Sequence, residues 1–351
     1  RQVQFNAKRG SLLVADLGAT SIDVGIADLR GHVLRHHSEP ADIAAGPERI
    51  LDRVERLFDE IRAEAAPESG VLCAIGVGVP GPVEFSTGRP VSPPIMPGWD
   101  GYGVRERLSG RFGVPVWVDN DVNVMALGEW AEGTARGYDD VIFIKVGTGI
   151  GAGIISHGSL QRGAQGSAGD VGHIQVVADT SVICRCGKIG CLEAVAGGAA
   201  LGRAAARAAE QSESPLLAEA FARRGALTAS DIAVAARHGD AVSIHLLRQA
   251  GHHIGQMLAT MVNILNPLLI VIGGGVAGVG DILMAGIREI VYGRSLPLAT
   301  RHLQIRQSTL GERAGVVGAA AMAIDELFAP HRMAAWIDRG LPAGRPEHMA
   351  Y

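Results

Sequence analysis

Apolar and polar positions change rhythm several times along the chain, and each change marks an element. Residues 11–37, SLLVADLGATSIDVGIADLRGHVLRHH, fall into three short β-branched and apolar runs separated by Asp-Leu-Gly and Arg-Gly turns, which predicts three strands. Residues 47–64 alternate apolar and charged positions at helical spacing, and GVLCAIGVGVPG at 70–81 predicts a buried strand running into a Gly-Pro turn. A second strand-turn-strand, VIFIKVGTGIGAGIISHG at 141–158, has the plan of the first, with Gly and Thr at the turn, as though one unit were used twice. From Asp240 to Leu265 the positions Ile244, Leu247, Gly251, Ile254, Leu258, Met261 and Leu265 step by three and four. That predicts one long helix with a buried face, ended by Asn266-Pro267. LLIVIGGGVAGVGD at 268–281 then predicts a fully buried strand leading into glycines, and the stretch after Pro330 has little periodicity and reads as a surface tail.

Strands alternate with helices in each half, and both halves begin with the same type of hairpin. The expected fold is α/β, two similar lobes with a ligand cleft between them. A chain of 351 residues is long enough for two such lobes. Hydrophobic residues make up 47% and charged residues 19%, and the formal net charge is -4 with Lys and Arg scattered. This is no footprint for direct binding of nucleic acid by these residues. No apolar run is long enough to cross a bilayer, so no membrane is expected. Four cysteines in so long a chain are not a disulfide framework, and a cytoplasmic location is the expectation.

Candidate chemistry gathers at three kinds of place. The first hairpin holds Asp16, Gly18 and Thr20, the second Gly147, Thr148 and Gly149, and Gly273, Gly274 and Gly275 follow a buried strand. Backbone N–H groups in such turns can approach phosphate and a nearby aspartate can hold Mg²⁺, although each turn alone is equally a tight hairpin. In PVWVDNDVNVMALGEW a strand ends near Val118 and a helix begins near Asp121; the carboxylate suits an N-cap or a general base, and spacing does not separate the two. The densest stretch is GDVGHIQVVADTSVICRCGKIGCLE at 169–193. His173, Cys184, Cys186 and Cys191 offer one nitrogen and three sulfurs, a full set for tetrahedral Zn²⁺, and Gly187 and Gly190 let the backbone turn around it. Cys73, alone in an apolar strand, reads as core, and His36, His37, His252 and His253 carry no assigned role.

In order along the chain, DLGAT, GVGVPGPV, PGWDG, DNDVN, GTGIGAGI, GDVGH, CRCGKIGCLE and VIGGG resemble the ROK family of repressors, open reading frames and kinases, from about Leu12 to Phe328. The resemblance implies the two-lobed actin-like sugar-kinase fold with a structural zinc loop. It implies sugar contacts from Gly81, Asn120, Asp121, Asp170, His173 and Glu193, with Asp121 as general base in kinase members and His173 serving zinc and sugar together. Asp16, Gly18, Thr20, Gly147, Thr148 and Gly149 would face phosphates and Mg²⁺, and Gly273 and Gly274 the adenosine of ATP. The sequence departs from the kinases, whose first motif commonly reads Asp-x-Gly-Gly-Thr-Lys; here it is Asp16-Leu17-Gly18-Ala19-Thr20-Ser21. Asp170 stands where the kinases usually have Glu, and Pro94 where many have Asn.

With PVEFSTGRPVSPPIMPGWDG at 82–101 and RQVQFNAKRG before the first strand, the resemblance is closest to actinobacterial-type regulators of the family. Residues 1–10 are expected to be the remnant of a linker from an upstream winged helix-turn-helix domain. Residues 11–120 with about 313–330 are expected to form a small lobe, 121–312 a large lobe with the zinc loop at 173–191, and 331–351 a C-terminal tail. The expected function is a sugar-sensing effector domain that binds a sugar or sugar phosphate, forms a homodimer or homotetramer, and meets DNA only through a domain absent from this chain. Two other readings stand beside it: an ATP-dependent hexose or N-acetylhexosamine kinase using Mg²⁺, and a zinc-stabilised interaction module without a small ligand.

Overall fold

A computed structural model describes residues 5–66 and 69–337, and within it the chain divides into two compact units. Unit 1 holds the residues up to Arg136, the segment Arg162–Ala168, and the residues from Glu312 on; unit 2 holds Gly137–Gln161 and Gly169–Gly311.

Unit 1 begins with β1 (Gly10–Leu17), β2 (Ser21–Asp28) and β3 (Val33–Pro40), the three strands expected from the sequence. Helix α1 (Pro47–Ala65) leads to β4 (Val71–Val79), a small ribbon of β5 (Val83–Glu84) and β6 (Arg89–Pro90), α2 (Val104–Phe112), β7 (Val116–Asn120) and α3 (Asp121–Ala131). The sheet order is β3-β2-β1-β4-β7, with β1 antiparallel to β2 and parallel to β4. All eight residues of β1 are buried, because both faces of the sheet are covered. Alternate residues Leu13, Ala15 and Leu17 join Leu51, Val54 and Phe58 of α1 in one core cluster.

In unit 2, β8 (Val141–Val146), β9 (Ile150–Ser156) and β10 (Ser159–Leu160) are followed by α4 (Leu192–Ala196), α5 (Gly198–Glu210), α6 (Pro215–Arg224), α7 (Ala229–Arg237) and α8 (Ala241–Leu265). Then come β11 (Leu269–Gly273), α9 (Asp281–Arg294), α10 (Pro297–Thr300) and β12 (Gln304–Gln307). The order β10-β9-β8-β11-β12 repeats unit 1 strand for strand, with β8 antiparallel to β9 and parallel to β11. The long helix is α8. Asp240 caps its start by accepting from Ser243 N–H at 2.8 Å, and Asn266 ends it in the left-handed region at φ 50°.

The chain returns to unit 1 with α11 (Ala314–Leu327) and α12 (Pro330–Ile337). Helix α11 lies against the sheet and α3, with three glycines at the contacts. A methyl on Gly76 would overlap the Ala319 carbonyl, one on Gly128 the Ala314 carbonyl, and one on Gly318 the Val124 carbonyl. These contacts correct one expected boundary: α3 belongs to unit 1, and the division falls after Arg136, not after Asn120. The expected tail also differs, since residues 330–337 are helical and Arg332 is buried against Trp117 and paired with Glu326. Residues 338–351 and 1–4 lie outside the described residues; of the expected linker, Ala7–Arg9 form a single 3-10 turn.

Two outcomes test this packing. Gly318→Ala forces a methyl into rigid backbone and is expected to cost about 3 kcal/mol, read as a lower denaturant midpoint at unchanged slope. On the other face, Arg53 donates twice to Glu39 at 2.8 and 2.7 Å and holds its carboxyl at about 2, below the usual 4.5. A depressed acid stabilises the fold above its unfolded pKa and loses that contribution as pH falls through its folded pKa. Glu39→Gln should therefore cost about 1 kcal/mol at pH 7, with the gap to wild type closing between pH 4.5 and 2.

Candidate functional site

Two clusters of chemistry-bearing residues form, one in each unit. In unit 1 the cluster sits where β1, β4 and β7 end. Asp121 is the first residue of α3 and is 6% exposed. The N-cap is its neighbour Asn120, whose side-chain oxygen accepts from Val122 N–H at 2.9 Å and Asn123 N–H at 3.3 Å. The capping role considered for Asp121 thus falls mainly to Asn120. The Asn120 amide nitrogen donates to Gly81 O at 2.8 Å and to Asp121 Oδ1 at 3.0 Å, so Gly81, Asn120 and Asp121 are brought together.

Asp16 lies on the α11 face of β1, 7% exposed. A methyl on Gly315, in the first turn of α11, would overlap its carboxyl group, and one on Gly78 would lie 2.8 Å from Oδ1 and 3.4 Å from Asp121 Cα. Gly78 and Gly315 therefore let the Asp16 carboxyl group lie beside the backbone at the starts of α3 and α11, where partial positive charge favours anions. Neither glycine was singled out by sequence reasoning; the only trace is the Gly-x-Gly alternation in GVGVPG.

The first hairpin is closed by Gly18 N–H to Ser21 O at 2.9 Å, and Thr20 at its tip is exposed. Ser21 donates its hydroxyl to Asp23 Oδ2 at 3.0 Å. Asp23 pairs in register with Asp16 and is 6% exposed. Burial opposes its charge, but hydrogen bonds from His36, Ser38 and Ser21 and the nearby His36 charge hold its carboxyl below the usual range. His36, given no role from sequence, thus faces Asp23 at 3.3 Å.

The unit 2 cluster forms around the second hairpin. Gly147 N–H donates to Gly149 O, and Gly198 N–H at the start of α5 donates to Gly147 O. Glu193 Oε2 accepts from Ile150 N–H at 3.3 Å and lies where a side chain at Gly149 would stand. Gly172 packs its backbone on the Ile150 carbonyl and beside Glu193 Cβ, so the turn that carries Asp170 and His173 lies against the start of β9. Gly274 has φ +88° and packs on the end of β8, as the turn after a buried strand requires. Gly273 instead makes room for the Phe143 ring, a packing reason for its lack of a side chain.

The zinc candidates converge as the sequence proposed. Ligand atoms of His173, Cys184, Cys186 and Cys191 all lie within 4.8 Å of one another. Zn–S of about 2.3 Å and Zn–N of about 2.0 Å in a tetrahedron require edges of about 3.8 Å between sulfurs and about 3.5 Å from nitrogen to sulfur. Cys186 and Cys191 Sγ are 3.7 Å apart and Cys184 Sγ is 3.6 Å from His173 Nδ1, so the set fits zinc. The knuckle is made by Cys184 N–H to Lys188 O and Gly187 N–H to Cys184 O, with Gly187 at φ +84°. Burial pushes the Cys184 thiol up and Cys191 to about 12; at Cys186 burial is outweighed by donation from the Lys188 backbone and by the neighbouring thiols, leaving it below the usual range. His173 Nε2 faces the other way, 3.9 Å from Asp170 Oδ1, so its two nitrogens serve opposite sides. With four protein ligands such a site is structural and has no open position.

The chain matches the ROK family over residues 13–326 and belongs to it. Its relatives include both kinases and repressors. It is 33% identical to the glucokinase of Halalkalibacterium halodurans over 86% of this chain and 92% of that one. It is equally 33% identical to the xylose repressor of Caldicellulosiruptor bescii, over 93% of this chain and 81% of that one. A solved ROK glucokinase from Streptomyces griseus in complex with glucose and AMPPNP superimposes with TM-score 0.77 at 32% identity, covering 90% of this chain and 99% of that one. The fold is the sugar-kinase-like α/β fold of this family. Among the described residues no helix is long and apolar enough to cross a membrane.

Cys186→Ser removes one of four donors. Purified wild type is expected to carry about one zinc per chain by metal analysis and the variant far less, with a lower melting temperature, while Cys73→Ser leaves metal content unchanged.

Proposed function

We propose that this chain is the sugar-sensing portion of a ROK-family transcriptional regulator. The observation that carries this reading is Ser21 at the first hairpin. Where family kinases commonly present lysine, Ser21 is short, neutral and bonded to Asp23, and Asp23 places a second buried carboxylate opposite Asp16. A phosphate approaching this turn gains no cation from position 21 and meets an additional negative charge, so nucleotide affinity is weakened at its phosphates. The sugar contacts expected from the family are Asn120 and Asp121, with Gly81, and Asp170, His173 and Glu193; they depend much less on that hairpin. Zinc would hold the loop that presents His173, and the same loop leads directly into Glu193. A sugar or sugar phosphate favouring one conformation shifts the population toward it, and DNA affinity follows through a homo-oligomer and a DNA-binding part beyond these residues.

The kinase reading keeps one specific support. Asp121 begins a helix at a strand end with both glycine hairpins retained, an arrangement that could serve as general base for a sugar hydroxyl with Mg²⁺ and ATP. Incubation with Mg·ATP and a panel of glucose, N-acetylglucosamine, xylose and their 6- or 5-phosphates separates the two. The expected outcome is a rise in melting temperature with one of these ligands and no ATP turnover, since ligand that binds only the folded state must stabilise it. Sugar-dependent turnover abolished by Asp121→Asn would establish the kinase instead.

A further inference from the structure

We infer that Arg162 is the positioning residue for the Asn120–Asp121 pair. This rests on the reading of that pair as a sugar contact, but its geometry stands apart from any ligand. Asp119, the residue before the pair, is 1% exposed and lies in β7 one residue before its end. Its Oδ1 accepts from Asn120 N–H at 2.7 Å and from the Asn123 side-chain amide at 3.0 Å. Its Oδ2 accepts from Arg162 Nε at 2.6 Å. One carboxylate thus ties the start of α3 at two points and is neutralised by one guanidinium.

Arg162 is itself held. Its guanidinium carbon lies 3.8 Å from the centre of the Phe85 ring, a cation–π stack that fixes the plane of the fork. Phe85 in turn is anchored through its carbonyl, which accepts from Arg105 at 2.7 Å; Arg105 is 5% exposed and also donates to Ser86 O and Val116 O. The segment carrying Arg162 is seated by Gly166, whose backbone lies on the Val83 carbonyl, and by Ala168 N–H to Arg162 O at 3.1 Å. A chain of fixed groups therefore runs from Arg105 through Phe85 and Arg162 to Asp119 and into the first turn of α3. Arg162–Ala168 belongs to unit 1 although both its chain neighbours belong to unit 2, and the next residues are Gly169 and Asp170. This strap is the only part of residues 137–311 assigned to unit 1, and its contacts there centre on the residue that orients Asn120 and Asp121.

Lysine keeps the charge but loses the planar stack and the directed Nε–H, and methionine loses the charge as well. Amide hydrogen exchange of the folded protein without ligand is the direct test, on wild type, Arg162→Lys and Arg162→Met. The amides of Val122, Asn123 and Val124 are expected to exchange at least tenfold faster in Arg162→Met and by an intermediate factor in Arg162→Lys, while β1 and β2 keep wild-type protection. Affinity for whichever panel sugar the wild type binds should fall in the same order, with zinc content unchanged. Unaltered exchange at residues 122–124 in Arg162→Met overturns the assignment, and so does uniform acceleration across unit 1, which would mark Arg162 as a general stabiliser. If wild type binds no sugar of the panel, the sensor reading falls, and the exchange data still decide the role of Arg162.

Discussion

Unit 1 depends on a contact between backbones. Val124 and Gly128 are four residues apart on α3, and Ala314 and Gly318 four apart on α11, so each pair lies on one face and the two faces meet with no side chain between them at the glycines. Gly76 lets the same α11 down onto β4. Because the three elements touch main chain to main chain, their positions along one another are fixed by rigid groups. The consequences appear at the helix ends. The start of α3 carries Asn120 and Asp121, the start of α11 faces Asp16, and Gly78 admits the Asp16 carboxyl group beside the Asp121 backbone. Glycine content that looks like an entropic burden is what sets the candidate site's geometry.

Unit 2 repeats the sheet and uses a comparable device. Gly251 and Gly255 on α8 meet Leu283, Gly286, Ile287 and Ile290 of α9, again with spacing of four on one helix. The two units differ in what their first hairpin is attached to. In unit 1 the turn at 18–20 is followed by Ser21, whose hydroxyl donates to Asp23, while Asp23 also faces His36. In unit 2 the turn at 147–149 is bonded to α5 through Gly198 and touches Glu193, which continues straight into the cysteine knuckle. The candidate metal ligands and the second hairpin are therefore one local structure, and Arg185, between two cysteines, reaches Glu193 Oε1 at 3.3 Å across it.

Much of this was legible in the sequence because it is local. Short apolar and β-branched runs bounded by glycine turns located β1 to β3, β8 and β9, the step of three and four located α8, and the His and Cys spacing located the zinc candidates, whose donors close over 19 residues of chain. What the sequence did not reveal depends on distant partners. Asn120 and Asp121 are equally good caps by type, and only the turn into α3 assigns the cap to Asn120. Nothing near Arg162 indicates Asp119, 43 residues earlier, and nothing near Gly315 indicates Asp16. The boundary after Arg136 was missed for the same reason, since α3 is drawn into unit 1 by a helix almost two hundred residues further on.

Glucokinase and repressor relatives at the same 33% identity cannot decide the function by resemblance, so the decision moves to charge at a few positions. Phosphoryl transfer concentrates negative charge that must be met by cations or oriented N–H groups. At the first hairpin this chain retains the N–H groups of a glycine turn yet has a neutral hydroxyl at position 21, and the imidazole of His36 is directed at Asp23. Among the sugar-facing candidates Asp170 is altered from the kinases' usual Glu, while Asn120 is held by Gly81, Asp121 by Asn120, and His173 lies against the Cys184 sulfur. A chain that recognises a sugar without phosphorylating it needs Asn120 and Asp121 held in place but not a cation at position 21, which is why the proposed reading turns on Ser21.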